Sequence, residues 1–164
     1  YLYSDIITFA SISQENMDRE QTEIVYTLKV ACREIVETIK DSHEIQKNIK
    51  LYVNHKNNNI RTEYNFLRAT IAQTLNGIYQ LRNNEDEIDI LTNIKLLEEN
   101  LKKLDMIKNG KIATLIRENK IKPKMATSLI NDSAFSYEIS KKLLHVASVL
   151  WIHDTDLLEL GDEL

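Results

Sequence analysis

Glycine and proline are scarce in this chain, with three glycines and one proline in 164 residues, where average usage would place roughly twenty. Sandwiches, barrels and Rossmann-type folds need glycine at tight turns and phosphate loops, so a chain without it can hardly build them. The composition is 43% hydrophobic and 28% charged, a balance that suits helices carrying one apolar stripe each. The expected fold class is all-α: an antiparallel up-down bundle of long helices forming a single domain over residues 1–164.

Apolar spacing places the helices. Tyr3, Ile6, Ile7 and Ala10 predict a short helix over 1–12, followed by a polar connection. A long helix over 21–54 carries Ile24, Leu28, Ala31, Ile35, Ile45, Ile49 and Tyr52. With Thr38 and Ser42 filling the gap, its seam alternates steps of four and three in heptad fashion. The asparagine-rich turn after it leads to a helix over 60–82, marked by Ile60, Tyr64, Leu67, Ile71, Leu75, Ile78 and Leu81. Gly77 lies inside that helix and reads as a close helix contact. A third long helix is expected over 87–119, after an acidic turn at 83–86, with Leu104 and Ile107 continuing its stripe and Gly110 as a kink. Pro123 suits the first position of a last helix over 123–152, with Met125, Leu129, Ile139, Leu143, Val146 and Leu150 on its apolar side. The segment 154–164 holds five acids and no base and reads as an acidic tail.

Several function classes are disfavoured. A formal net charge of −4 argues against nucleic-acid binding, which usually shows a basic excess. Cys32 is alone, so no intrachain disulfide can form, and it reads as a small buried hydrophobe in a reducing compartment. No window offers the 18 or so uninterrupted apolar residues of a membrane span. The chain opens Tyr1-Leu2-Tyr3 without an initiator methionine and reads as a piece of a longer protein. The histidines show neither His-x-x-x-His nor Glu-x-x-His spacing, and there is no nucleophile elbow or phosphate-binding loop. Neither His43 nor His145 has the lysine and glycine context of a phosphotransfer histidine. A non-enzymatic protein is expected.

Two polar features stand out. Glu34, Glu37, Asp41 and Glu44 recur at steps of three, four and three, which lines four carboxylates along one face. They call for an ion-pair row with Arg61 and Arg68 of the next helix, or with Lys29, Arg33, Lys40 and Lys47 of their own. The alternative is a site for a divalent or ferric cation, in which Glu37 and Asp41 supply oxygens one turn apart and Asp132 adds another. The second feature is Asn131-Asp132-Ser133, a polar patch inside an amphipathic helix and flanked by Ser128, Ser136 and Ser140. It reads either as a hydrogen-bonded packing device or as a ligand-facing surface. Eight bases between Lys102 and Lys124 form a solvated face or a dock for an anionic membrane leaflet or acidic partner.

The segments EIVETIKDSHEIQKNIKL (34–51) and LIRENKIKPKMATSLINDSAFSYEISKKLL (115–144) resemble the PhoU-like cytoplasmic region of bacterial sodium–phosphate cotransporter family proteins. The second is the more specific, above all KIKPKMATSLINDSAFSYEI. The resemblance implies a helical bundle at the cytoplasmic side of the bacterial inner membrane, a soluble domain of a membrane protein. Its partner would be a transmembrane transport domain of the same chain or another membrane protein, and its role phosphate transport or its control. PhoU proteins hold metal through repeated Glu/Asp-x-x-x-Asp motifs. Glu37-x-x-x-Asp41 matches that motif once, without the tandem set. A freestanding PhoU-like adaptor acting through protein partners is the alternative, and an exposed heptad-type stripe leaves room for a homodimer.

Overall fold

The computed structural model describes residues 2–83, 87–102 and 110–152. Among them are α1 (Leu2–Ser13), a 3₁₀ turn (Gln14–Asn16), α2 (Arg19–Tyr52), α3 (Asn58–Arg82), α4 (Glu87–Leu101), α5 (Lys111–Arg117) and α6 (Pro123–Trp151). The protein is an all-α bundle with no strand among the described residues.

Local chemistry fixes the helix ends. Asp18 starts α2 through a capping box: its Oδ1 accepts from the Gln21 N–H at 2.9 Å, and the Gln21 side chain accepts from the Asp18 N–H at 3.3 Å, satisfying two donors that the first turn leaves open. Asn57 caps α3 by accepting from the Asn59 N–H at 2.9 Å, and its Nδ2 donates to the Lys120 carbonyl at 2.7 Å. That bond ties the α2–α3 turn to the α5–α6 connection. Pro123 opens α6, where its missing N–H has no partner to lose. Asn119, with φ of 54°, takes the left-handed position that ends α5, and the Lys120 N–H donates to the Leu115 carbonyl at 2.9 Å.

The expected continuous helix over 87–119 is corrected. Gly110 has φ of 70° and stands at the N-terminal cap of α5, so its backbone is left-handed rather than kinked helix. Only glycine adopts that conformation without steric cost. Leu104, Ile107, residues 84–86 of the acidic turn and the 154–164 tail lie outside the described residues. Gly77 makes the expected close contact: a Cβ built there would lie 2.6 Å from Leu97 Cδ1 on α4.

α6 is the central element, packed against α2, α3, α4 and α5. Along its contact with α2, Glu34 meets His145, Asp41 meets Lys142 and Asn48 meets Asp132. Numbers rise on one helix as they fall on the other, so these two helices run in opposite directions. The main core gathers at one end, where Tyr52, Ile60, Tyr64, Leu67, Leu101, Ile112, Leu115, Leu129 and Leu144 are buried together. A smaller cluster of Leu81, Ile90, Ile94 and Ile152 closes the other.

The apolar stripes are only partly the buried faces. On α6 the buried set includes Ser133, Ser136, Ser140 and Ser148, while Leu150 is exposed. On α3, Thr70 and Thr74 are buried in place of the expected Leu75. For all of these hydroxyls but that of Ser140, the physical reason is local back-bonding. Ser136 donates to the Asp132 carbonyl at 2.7 Å, Ser148 to Leu144 at 3.0 Å, Thr70 to Phe66 at 3.0 Å and Thr74 to Thr70 at 3.1 Å. A hydroxyl satisfied within its own helix can be buried, and its small volume lets neighbouring helices approach.

Candidate functional site

The polar groups singled out by the sequence meet along the α2–α6 contact, in a ladder of three rungs. The first is Glu34 with His145, whose Nδ1 lies 2.6 Å from Glu34 Oε2. That hydrogen bond raises the His145 pKa above its ordinary value, against the opposing effects of burial and of nearby Lys141. The site favours the imidazolium more than water does.

Lys142 makes the second rung. Its Nζ sits 2.9 Å from Asp41 Oδ2 and 3.2 Å from Glu37 Oε2, while Arg33 Nε reaches Glu37 Oε1 at 2.7 Å from the preceding turn of α2. Burial works against a charge on Lys142, but the hydrogen bonds to Asp41 and Glu37 outweigh it and raise its pKa. Glu37 is held below the usual carboxylate range by its hydrogen bonds, first to Arg33 and then to Lys142.

The third rung is buried. Tyr64 of α3 donates its hydroxyl to Asp132 Oδ2 at 2.5 Å, and the Asn48 side chain of α2 bonds the same carboxylate. Burial pushes the Asp132 pKa up, and these two hydrogen bonds work against that rise. Burial, followed by the bond to Asp132, drives the Tyr64 phenol well above its ordinary value. Tyr64 is therefore a donor at neutral pH, where the phenol is protonated. It is stacked on Tyr52, ring centroids 4.7 Å apart, so three helices converge on one carboxylate.

Between the rungs, Thr38 Oγ1 and Ser140 Oγ are buried with no hydrogen-bond partner among the described residues. In the antiparallel register they lie level with one another. A separate buried acid, Glu63, is paired with Lys111 of α5 at 2.7 Å, and the same ammonium stands 5.6 Å from the Phe66 ring centroid.

The structure corrects three expectations about this site. Three acids of the stripe, Glu34, Glu37 and Asp41, form an ion-pair row, but their cations are Lys142 and His145 of α6, with Arg33 from α2, and Glu44 is exposed. Arg61 instead donates to Asn58 at 2.6 Å, and Arg68 is exposed. Glu37, Asp41 and Asp132 do not converge as oxygen ligands. Lys142 occupies the space between the first two, and Asp132 lies ten residues away along α6, about 15 Å at the helical rise. Among the described residues no group of three His, Cys, Asp or Glu could hold a metal ion. The 131–133 patch splits, with Asn131 exposed while Asp132 and Ser133 face the interior; Ser133 donates to the Ile130 carbonyl at 2.8 Å.

Sequence reasoning missed Tyr64, which had been assigned only to the apolar stripe, and it missed Asn48 altogether. The signal available for Tyr64 was its phenol, which needs a partner once buried. The basic stretch is not a uniform face either, since Lys111 pairs with Glu63 and Lys120 with Glu118 at 2.6 Å; Lys103 and Lys108 lie outside the described residues. Cys32 is a free thiol, half-buried rather than buried. Along the α3–α4 groove run two adjoining clefts of about 420 Å³ each. One is lined by Phe66, Thr70, Gln73, Thr74 and Asn100, the other by Gly77, Gln80, Asn83, Asn93 and Leu96, and Leu97 is common to both.

Fold and site together define an all-α bundle whose central helix is held by a ladder of charged and hydrogen-bonded pairs. Comparison with known proteins gives no match, whether against family models, curated proteins or solved structures. No helix among the described residues is long and apolar enough to cross a membrane.

Proposed function

We propose that the chain is a non-enzymatic PhoU-like regulatory domain of a sodium-dependent phosphate transporter, placed at the cytoplasmic face of a bacterial inner membrane. The observation that carries this reading is the location of the family-like segment 115–144. Its residues form the end of α5, the Asn119 turn and most of α6, the helix against which α2, α3, α4 and α5 all pack. A segment at that position can transmit a displacement to every helix around it. The ladder couples its two charged rungs in such a displacement. A slide of α6 along α2 would separate Lys142 from Asp41 and His145 from Glu34 together, since the two rungs share the same pair of helices.

The test is phosphate uptake in cells expressing the parent protein with and without residues 1–164. Deletion is expected to change uptake or its response to external phosphate. Unchanged uptake in both respects, or a parent gene without hydrophobic spans, would remove the reading.

A further inference from the structure

The apolar face of α2 is only partly covered among the described residues. Ala31, Thr38, Ile45 and Tyr52 are buried, but Ile24, Leu28, Ile35 and Ile39 are exposed. These four lie within about 60° of arc at ~100° per residue, on a single face. With Glu34 opposite His145, Trp151 at the end of α6 stands level with about position 28 of α2, so the start of α2 projects beyond that helix. α1 packs on α2 and leaves Leu2, Ile6, Phe9 and Ile12 uncovered. An α-helix this apolar with no buried residue is rare in a finished surface.

The spacing of the stripe identifies what covers it. Read from its centre between positions 31 and 32, where Ala31 is buried and Cys32 half-buried, each exposed member has a mate at equal distance: Leu28 with Ile35, Ile24 with Ile39, Gln21 with Ser42. The centre is small, the middle is aliphatic and the two ends are polar and uncharged. No Asp, Glu, Lys or Arg falls on this face between Gln21 and Ser42. A self-complementary order of this kind is what a two-fold interface requires, because residue i must meet residue j while j meets i. The area is sufficient as well. The four α2 side chains of the stripe, 41–65% exposed, present roughly 400 Å² at ~200 Å² for a large side chain, and the four of α1, the helix packed against α2, add roughly 500 Å². A standard interface buries about 800 Å² per partner, and the largest patch on a typical monomer is about 300–600 Å².

We propose that a second copy of this chain covers the stripe, with the two α2 helices antiparallel about a two-fold axis between positions 31 and 32. Leu28 then packs on the partner's Ile35 and Ile24 on the partner's Ile39, with the two Cys32 side chains next to the axis. The dimer does not depend on the transporter reading.

Light scattering in the micromolar range should give twice the chain mass of 19.1 kDa. Ile35→Asp should halve it with helix content unchanged by circular dichroism, since that residue lies outside both buried core clusters. Disulfide trapping reads the direction. In a Cys32→Ser background, Ile24→Cys alone should not cross-link to itself, whereas an equimolar mixture of Ile24→Cys and Ile39→Cys chains should form a covalent dimer. A monomeric mass throughout, self-linking of Ile24→Cys, or a monomer that binds phosphatidylglycerol vesicles through α1 would each overturn the proposal.

Discussion

Tyr64 and Asp132, 68 residues apart in sequence, share a 2.5 Å hydrogen bond in the core. The bond joins α3 to α6, and Asn48 brings α2 to the same carboxylate. Tyr64→Phe keeps the ring and its stacking on Tyr52 but removes one of the donors that satisfy Asp132. It should cost about 1–3 kcal/mol, the usual penalty for a buried polar group left short of a partner. It should also raise the Asp132 pKa further, because a bond that favours the carboxylate is gone. Urea denaturation and carboxyl titration by NMR measure both effects.

His145 predicts a pH dependence with a definite sign. Its folded pKa lies above the ordinary 6.5 because Glu34 favours the imidazolium. The stability it contributes is fully present below 6.5 and is lost as pH rises through the folded value. Thermal midpoints of the wild type should therefore fall with increasing pH over that window. The Glu34→Gln variant should lose this component of the slope, and an unchanged slope would mean that the rung is not formed in solution.

Lys142 decides whether the acidic stripe can bind a cation. Its ammonium lies between Asp41 and Glu37, so a divalent ion must displace it. Added Mn²⁺ should leave the wild-type melting temperature unchanged. Lys142→Met removes the competitor and should make the melting temperature rise with Mn²⁺, an effect abolished by adding Asp41→Asn.

The two left-handed residues, Gly110 and Asn119, should respond to substitution in opposite ways. Beyond its chain neighbours, no atom of the described residues lies within 4 Å of a Cβ built at Gly110, so Gly110→Ala tests the backbone alone and should cost about 1–2 kcal/mol. Asn119→Gly relieves the same strain at the end of α5 and should be neutral or slightly stabilising. Denaturant midpoints for the pair separate this account from one based on side-chain packing.

Gly77 and Leu97 should be energetically coupled. Alanine at 77 improves helix propensity by about 1 kcal/mol, but its Cβ meets Leu97 Cδ1 at 2.6 Å. Gly77→Ala should therefore stabilise more in a Leu97→Ala background than in the wild type. A double-mutant cycle gives the coupling directly, and strict additivity would show that the contact is absent.

Pro123 marked the start of α6, while the caps Asp18 and Asn57 were read only as parts of polar connections, so α2 and α3 were expected from 21 and 60 and begin at Arg19 and Asn58. These are local signals, and caps act within one turn. The break at Gly110 was harder to read because a glycine can sit inside a helix at modest cost or end it, and which occurs depends on what packs around it. Thr70 and Thr74 of α3 were passed over for a related reason. Hydropathy scores a hydroxyl as polar, while a carbonyl four residues back in the same helix can satisfy it and let it be buried.

Near-absence of glycine and proline, together with helical apolar spacing, determined that this protein is an all-α bundle, because without punctuation at turns and loops the chain has few other ways to bury its apolar residues. It also determined which residues carry charge at helical spacing. The tertiary structure alone decided their partners. Glu37 and Asp41 have the same spacing whether they face a cation or a lysine, and only the antiparallel register of α2 and α6 brought Lys142 between them. That register is set by packing between segments about a hundred residues apart, which periodicity within one helix cannot encode.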